Sequence, residues 1–367
     1  MSILFLSIYL ILMNETNMKN VVYSTTRQWN PGDEFILMGT QFLLEKVIGK
    51  HNPIIFNRNP QIRRARKFDL VKIIDDILGK DFAEKFLDNS VKERSEMNYA
   101  DLVVFAGSPE WRGIRTDKLY KSIRQYDIPS LFMGLGTSGE FDFTDTHFSE
   151  DEQAVLKDAQ LITCRDEVCH KGLSSIGAHL LPCPALFSSP TYRKVEGVKK
   201  IALLYGTSSA VACNNVSEET YQFMMKNYNA LIEKYSNEYE FEFVAHYIDE
   251  LAEFKKDFPG HTLRYSFDAK DYREIFSEYD LIVGYRVHGI GMCASMGTPG
   301  VMIAHDPRAS TVKGFLADMV SLDISTQEFL TVVKSAIDEV EQRSDALINH
   351  RLKTEEKYLA LLKQCVF

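Results

Sequence analysis

The sequence has little of what marks several specialised classes of protein. Its 367 residues include only 11 prolines and 20 glycines, which excludes a collagen-like or low-complexity chain. No two of its 6 cysteines are spaced as C-x-x-C, so neither a zinc ribbon nor a small disulfide scaffold is indicated. Basic residues are not in excess, because 42 Lys and Arg stand against 51 Asp and Glu. The net charge of −9 argues against duplex nucleic acid as the main partner.

What is present is typical of a globular protein of about two domains, with 45% hydrophobic and 25% charged residues. Scattered cysteines fit a reducing compartment, so we expect a cytoplasmic location. The grouped Cys164, Cys169 and Cys183 are interpreted as structural thiols rather than as a metal site. We therefore expect no metal and no nucleic-acid partner.

The longest apolar run covers residues 3–13, and it is shorter than the roughly 20 residues that span a bilayer. Met18 opens a segment that reads as the start of a first β-strand. We therefore interpret residues 1–18 as an extension that is not the native start. A membrane-surface anchor and an added strand or helix are the alternatives.

Short β-rich runs alternate with longer helical patterns, which predicts an α/β fold with mostly parallel sheets. Pro182-Cys-Pro184 interrupts this alternation and suggests a domain boundary. We predict two Rossmann-like domains over 19–187 and 188–326, followed by C-terminal helices over 327–367 that reach back across both. The predicted strands are 21–25, 53–56, 101–105, 130–133, 161–164, 201–205, 240–245, 280–284 and 301–304. The predicted helices are 34–48, 62–88, 166–176, 218–235, 248–257, 272–277, 287–296 and 327–362.

The strongest motif is the segment from Asp280 to Gly291, in which a buried strand runs into a turn and then at once into a helix. Arg286 and His288 are two residues apart, so at a strand end their side chains can project to one side. Gly289 allows a close approach, and the helix start presents its free N–H groups. Together they predict a phosphate or carboxylate site. The alternative is structural, with Arg286 paired to an acid and His288 capping the helix.

A second cation follows another buried strand. Arg165 comes directly after Leu161-Ile-Thr-Cys164, and Asp166 and Glu167 follow in the first turn of a helix, where acids suit the helix dipole. On its own this pattern equally fits an ion pair across the cleft. Beside a second cationic strand end, it favours a shared anion site.

Two carboxylates open the first predicted helix, in Asn30-Pro-Gly-Asp33-Glu34. The segment is neither a P-loop nor a dinucleotide-binding turn. Carboxylates would repel a phosphate, so they favour sugar hydroxyls or the work of a general base. Simple helix capping explains them equally well.

Three further candidate side chains follow two other predicted strands. Trp111 follows the glycine turn after the strand at 101–105 and could stack on a sugar, although Trp more often belongs to a core. His305 and Lys313 follow the strand at 301–304 and could add to the anion site, or lie on an ordinary surface.

In their order and spacing, these pieces resemble the polysaccharide pyruvyltransferase family. The similarity covers 19–315, and the Arg-x-His segment with the strand after it is the most specific part. The matching segments are Asn30-x-Gly-Asp-Glu34, Arg165-Asp-Glu, Leu181-Pro-Cys-Pro-Ala185, Asp280-Leu-Ile-Val-Gly-x-Arg286-x-His288 and Gly297-Thr-Pro299-Gly-Val-x-Ile303.

The resemblance implies a GT-B-like pair of domains, with the acceptor on the N-terminal side and the donor on the C-terminal side. It implies transfer of a pyruvyl group from phosphoenolpyruvate to a sugar as a cyclic ketal, with release of phosphate and no cofactor. His288 and Asp33 would be catalytic. The donor would be bound by Arg286, Arg165, Gly289, Lys313 and His305. The acceptor would be bound by Asn30, Glu34, Ser108 and Trp111.

The chain departs from the family pattern after the third strand, where the family commonly has consecutive glycines and this chain has Ala106-Gly-Ser-Pro-Glu-Trp111. The acceptor is therefore left open as a sugar or a lipid-linked glycan, with peripheral contact at the inner membrane surface also left open. Two other functions stay open as well. One is a GT-B glycosyltransferase that uses a nucleotide sugar, and the other is a non-catalytic family member.

Overall fold

The computed structural model describes residues 18–26, 31–58, 77, 97–108, 111–113, 115–137, 139–144, 148–209 and 216–366. Three predicted features fall outside these residues: the extension before Met18, the residue Asn30, and all but one residue of the helix predicted over 62–88. Within them the chain forms two six-stranded sheets in which all neighbouring strands are parallel. The predicted α/β fold is confirmed.

The first sheet takes the order β2-β1-β3-β4-β5-β6. Its strands are β1 (Asn20–Thr25), β2 (Asn52–Asn57), β3 (Leu102–Ser108), β4 (Ser130–Leu135), β5 (Leu161–Cys164) and β6 (His179–Leu180). The helices of this half are α1 (Pro31–Ile48), α2 (Asp117–Gln125), α3 (Glu150–Lys157) and α4 (Glu167–Leu173).

The second sheet takes the order β12-β11-β10-β7-β8-β9. Its strands are β7 (Lys200–Leu204), β8 (Glu240–Val244), β9 (Leu263–Arg264), β10 (Leu281–Gly284), β11 (Gly300–Ala304) and β12 (Asp318–Ser321). The helices are α5 (Glu218–Tyr235), α6 (Glu250–Asp257), α7 (Tyr272–Ser277), α8 (Val287–Ser295), α9 (Thr326–Asp338) and α10 (Val340–Leu362).

Local chemistry sets many of these boundaries. Ser149 opens α3 with a full capping box, and Gly177 ends the 3-10 turn after α4 in the left-handed conformation at φ 81°. Asp268 caps a 3-10 turn, Ala269–Asp271, that directly precedes α7. The single helical stretch predicted at the C-terminus is two helices, which meet at Glu339.

One hydrophobic core is shared by the two halves. On α1, Phe35 packs edge-on against Tyr272 and Phe276 of α7, with ring centroids 5.6 and 6.5 Å apart. A Cβ on Gly39 would overlap the carbonyl oxygen of Pro184, so only glycine lets α1 approach the 3-10 helix Pro184–Phe187 this closely. The contact surface of α1 thus joins both sheets.

Helix α10 crosses back to the first half, as predicted. Its buried Arg351 donates to the carbonyls of Leu186 and Ser189, which lie in the segment that joins the two sheets. Further along the helix, the Tyr358 hydroxyl donates to the carbonyl of Pro182 at 2.8 Å. These contacts fix the orientation of the two sheets relative to each other.

Cys164, Cys169 and Cys183 are buried free thiols. In the part of the chain that the structure describes, no three potential ligand side chains come together as a metal site requires. None of the described helices has both the length and the apolar character needed to cross a membrane.

Candidate functional site

The carboxyl ends of the two sheets meet at Arg165 and His288. Arg165 is the first residue after β5, and His288 is the second residue of α8, directly beyond β10. The distance from Arg165 Nη1 to His288 Nε2 is 2.9 Å. A guanidinium can only donate, so Nε2 is the acceptor and the imidazole is neutral. Arg165, predicted to bind the donor, and His288, predicted to be catalytic, thus make a direct contact across the cleft.

Arg165 is a buried cation, with 6% of its surface exposed. No carboxylate among the described residues forms an ion pair with it, and its Nε has no hydrogen-bond partner there. Gly136 lies against it, because a Cβ on this glycine would come within 2.6 Å of Arg165 Nε. Buried charges are normally paired or bound to a ligand, so the surroundings of Arg165 suit an anion.

The turn after β4 holds Arg165 in place. Trp111 donates its indole N–H to the carbonyl of Gly136 at 3.0 Å, and Thr137 donates its backbone N–H to Asp166 Oδ2 at 3.2 Å. Trp111 itself is 1% exposed and packs beside Phe141. The predicted stacking of Trp111 on a sugar is therefore wrong, since its ring is part of the core and its N–H supports the turn beside Arg165.

Arg286 is paired with an acid, which is the structural alternative raised by the sequence. Its Nη2 lies 2.5 Å from Oε1 of the fully buried Glu250. The guanidinium also lies between the rings of Tyr247 and Tyr285, 4.4 Å from each centroid. Burial by itself lowers the pKa of Arg286. Tyr285, Glu250 and Tyr247 together raise this pKa by more than burial lowers it, so the guanidinium keeps its charge. Arg286 is held rigidly, with 10% of its side chain exposed.

Glu250 is a buried hub that the sequence did not single out. Its Oε2 accepts the backbone N–H groups of His246 and Tyr247 at 2.9 and 3.0 Å. Its Oε1 also accepts the hydroxyl of Tyr285 at 3.2 Å. This carboxylate therefore fixes the loop after β8 and the guanidinium of Arg286 at once.

A second histidine, His246, lies beside the start of α8. It is buried, and its Nε2 has no hydrogen-bond partner among the described residues. A Cβ on Gly289 would lie 3.3 Å from that nitrogen, so this glycine leaves room for the ring. Burial lowers the pKa of His246, and the charge of Arg286 lowers it further. The sequence analysis did not single out His246, although its position just past β8 matches that of Arg286 past β10.

The same forces keep His288 neutral. The pKa of His288 lies well below its ordinary value. Burial is the largest cause, and the charges of Arg165 and Arg308 and the neighbouring His246 lower it further. Two arginines, Arg165 and Arg308, thus lie near a neutral imidazole at the N-terminal end of α8, where the helix dipole is positive.

His305 and Arg308 line the far side of this cluster. Arg308 is paired with Asp306, its Nη2 lying 2.6 Å from Oδ2. Burial lowers the pKa of His305. The charge of Asp306 raises this pKa, and the charge of Arg286 lowers it further. Lys313 is exposed near the end of the 3-10 helix Pro307–Phe315 and forms no ion pair with a described residue. The structure brings His305 to the cluster and does not bring Lys313 there.

The predicted acceptor side is only partly described. Asp33 and Glu34 are buried in the first turn of α1. Burial raises the pKa of the Cys183 thiol. The charge of Arg165 lowers this pKa and the charge of Asp33 raises it, so both charged groups lie near the thiol. Ser108 is the last residue of β3 and so lies at the same sheet edge. Asn30 lies outside the described residues.

Taken together, the arrangement suits a small anion between two domains. It offers a buried arginine that forms no ion pair with a described carboxylate, two further arginines held by carboxylates, a helix N-terminus and an imidazole. A carboxylate-lined helix stands beside it, which suits hydroxyl groups.

The fold matches solved structures of low sequence identity. MnaA of S. aureus, solved with UDP, aligns with a TM-score of 0.55 and 14% identity over 93% of this chain and 94% of that one. A UDP-GlcNAc 2-epimerase from Neisseria meningitidis aligns with a TM-score of 0.54 and 10% identity, covering 94% and 99%. These likenesses show that the two domains form a GT-B fold. No curated protein matches the chain.

The family can be assigned from the sequence model that the chain matches. The model described as polysaccharide pyruvyl transferase matches residues 30–307. That range contains Asp33, Arg165, Arg286, His288 and His305, and it includes both domains. The chain therefore belongs to the polysaccharide pyruvyl transferase family.

Proposed function

We propose that this protein transfers a pyruvyl group from phosphoenolpyruvate to two hydroxyls of a glycan sugar, forming a cyclic ketal and releasing phosphate. The observation that carries the proposal is Arg165, a buried cation without a carboxylate partner among the described residues, placed against His288 of the other domain. A phosphorylated carboxylic acid supplies the negative charge that this site lacks. Five described cysteines are free thiols, which supports a cytoplasmic location.

The reaction takes two protons from the sugar hydroxyls, gives one to the methylene carbon of phosphoenolpyruvate and gives the other to the departing phosphate. A proton added to the methylene carbon of phosphoenolpyruvate makes the neighbouring carbon electrophilic. One sugar hydroxyl bonds to that carbon and loses its proton, and the carbon–oxygen bond to phosphate breaks. The second hydroxyl then closes the ring and loses its proton. Arg165 and Arg286 stabilise the departing phosphate, while His288 and Asp33 move the protons.

The charge of the donor also explains how a neutral His288 can act as an acid. Burial and the charges of Arg165 and Arg308 hold its pKa down. Phosphate and carboxylate placed beside the imidazole neutralise that influence and favour the imidazolium form. Donor binding thus prepares the proton that the reaction uses.

Removal of the Arg165 charge tests the donor site. Arg165→Met should weaken phosphoenolpyruvate binding by roughly 10- to 150-fold, because hydrogen bonds to charged groups contribute about 1.5–3 kcal/mol. Thermal stability should be unchanged or higher, since the variant removes a buried charge with no carboxylate partner among the described residues. Calorimetric titration and thermal unfolding measure the two effects.

The control for this experiment is Arg124→Met, which removes an exposed arginine of α2 that pairs with Asp151. Phosphoenolpyruvate should bind this variant as it binds the wild type. Unchanged donor affinity in Arg165→Met would contradict the proposal. So would binding of a nucleotide sugar with nucleotide release, which would favour a glycosyltransferase.

Donor binding should take up a proton. In the free protein the pKa of His288 is lowered, so the imidazole is neutral at pH 7, and the bound anion raises it. Affinity for phosphoenolpyruvate should therefore rise as the pH falls from 8 towards 6, by up to about tenfold per pH unit. Calorimetry in two buffers of different ionisation enthalpy should show an uptake approaching one proton. An uptake unchanged in His288→Gln would contradict the assignment.

A further inference from the structure

The most exposed aromatic side chain among the described residues is Phe267, at 72%. Its ring stands edge-on to that of Tyr265, with centroids 5.1 Å apart and planes at 77°. Burial, Glu250 and Asp249 raise the pKa of Tyr265 to about 12, which places this tyrosine near the loop after β8. A large apolar ring held in water is unfavourable for folding, so a binding role is a reason for its presence.

The loop that carries Phe267 is held by its own hydrogen bonds. Ser266 Oγ donates to Asp271 Oδ2 at 2.6 Å and accepts the backbone N–H of Asp268 at 3.0 Å. Asp268 in turn accepts the backbone N–H of Lys270 at 2.9 Å. The ring is therefore presented by a preorganised turn, which lowers the entropy cost of binding.

This loop lies at the same sheet edge as the donor site. It follows β9, and Arg264 at the end of that strand accepts the N–H of Ala245, just before His246. Tyr272, shortly after the loop, donates to the carbonyl of Ala245 and packs against Phe35. Since Phe35 follows Asp33 and Glu34 on α1, the loop lies where the proposed acceptor side meets the second domain.

We infer that Tyr265 and Phe267 form an aromatic platform that binds a pyranose ring of the acceptor glycan. The inference rests on the proposed function. The aromatic face suits the C–H face of a sugar ring, and the carboxylates of Asp268 and Asp271 on the same turn suit its hydroxyls. The same carboxylates disfavour an anionic lipid surface.

The platform binds a neighbouring sugar unit, not the one that receives the pyruvyl group. Strand β9 is three positions from β10 in the sheet, and neighbouring strands lie about 4.8 Å apart, so the platform is roughly 14 Å from the strand that ends at Arg286. That separation is longer than one pyranose ring. The inferred ligand is therefore a chain of at least two sugars.

The test compares glycan length and aromatic character. Wild-type protein, Phe267→Ala, Phe267→Trp and Tyr99→Ala are applied to an array of mono-, di- and trisaccharides of the common hexoses. Tyr99 is an exposed aromatic residue just before β3, at the amino end of that strand in the first sheet. It serves as the control. Wild type should bind some longer glycan more tightly than its monosaccharide, and Phe267→Ala should lose about 2- to 10-fold on the longer glycan alone. Phe267→Trp and Tyr99→Ala should keep wild-type binding.

A direct signal supports the array. The indole fluorescence of Phe267→Trp should shift with the longer glycan and not with the monosaccharide. The platform is overturned if Phe267→Ala binds every glycan as the wild type does, if mono- and oligosaccharides lose affinity equally, if the wild type binds no sugar, or if it binds anionic vesicles instead. Phosphoenolpyruvate titration of the same proteins separates the two hypotheses. Wild type that fails to bind the donor contradicts the proposed function, whereas Phe267→Ala should bind the donor normally.

Discussion

A His288→Gln variant is expected to lose roughly 10²–10⁴-fold of its kcat for pyruvyl transfer, the range that general acid–base catalysis supplies. The imidazole of His288 lies 2.9 Å from Arg165 in the proposed donor site, at the start of α8. Glutamine can still accept a hydrogen bond from Arg165, so phosphoenolpyruvate affinity should change far less than turnover. Phosphate release, measured with a glycan that binds in the saccharide array, reports kcat.

His350 provides a matched control for this substitution. It is a half-buried histidine on α10 whose Nε2 donates to the carbonyl of Gly314, and burial lowers its pKa as well. His350→Gln should keep kcat near the wild-type value. Full turnover in His288→Gln would remove this residue from the chemical step.

The second large effect is expected on stability. Glu250→Ala should lower the free energy of unfolding by about 3–5 kcal/mol, the cost of leaving a buried charge without its partner. The substitution removes the acceptor of Arg286, of the Tyr285 hydroxyl and of two backbone N–H groups. Urea or thermal unfolding measures the loss, and phosphoenolpyruvate affinity should fall with it because Arg286 is no longer held.

Glu253, on the same helix, shows what an exposed pair contributes. It pairs with Lys256 at 2.8 Å on the surface of α6. Glu253→Ala should change the free energy of unfolding by less than about 1 kcal/mol, because exposed ion pairs contribute little. Equal destabilisation by the two substitutions would show that Glu250 is not the hub described above.

The parts of the fold that depend on local pattern could be predicted. Helix α5 begins at Glu218 and ends at Tyr235 as its apolar spacing indicates, and β5 covers Leu161–Cys164. Strands β6 and β9 have two residues each, too few for a pattern. Their formation depends on pairing with a neighbour that the local sequence does not reveal.

In the candidate site, too, positions along the chain could be predicted, whereas long-range partners could not. That Arg165, Arg286 and His288 lie at strand ends follows from their neighbours along the chain. Which partner each one takes depends on long-range contacts. Glu250 is 36 residues from Arg286, and Arg165 is 123 residues from His288. Trp111 was misread for this reason, since only the packed structure shows that its N–H reaches Gly136.

The buried face of α1 has a consequence for how this protein can change over generations. Phe35 belongs to the first half, yet it is covered by Tyr272 and Phe276 of the second. A half taken from a relative with another acceptor would bring its own α1 surface and would not fit these partners. New acceptor preferences should therefore arise by substitutions in surface loops such as the one that carries Phe267, and not by exchange of whole modules.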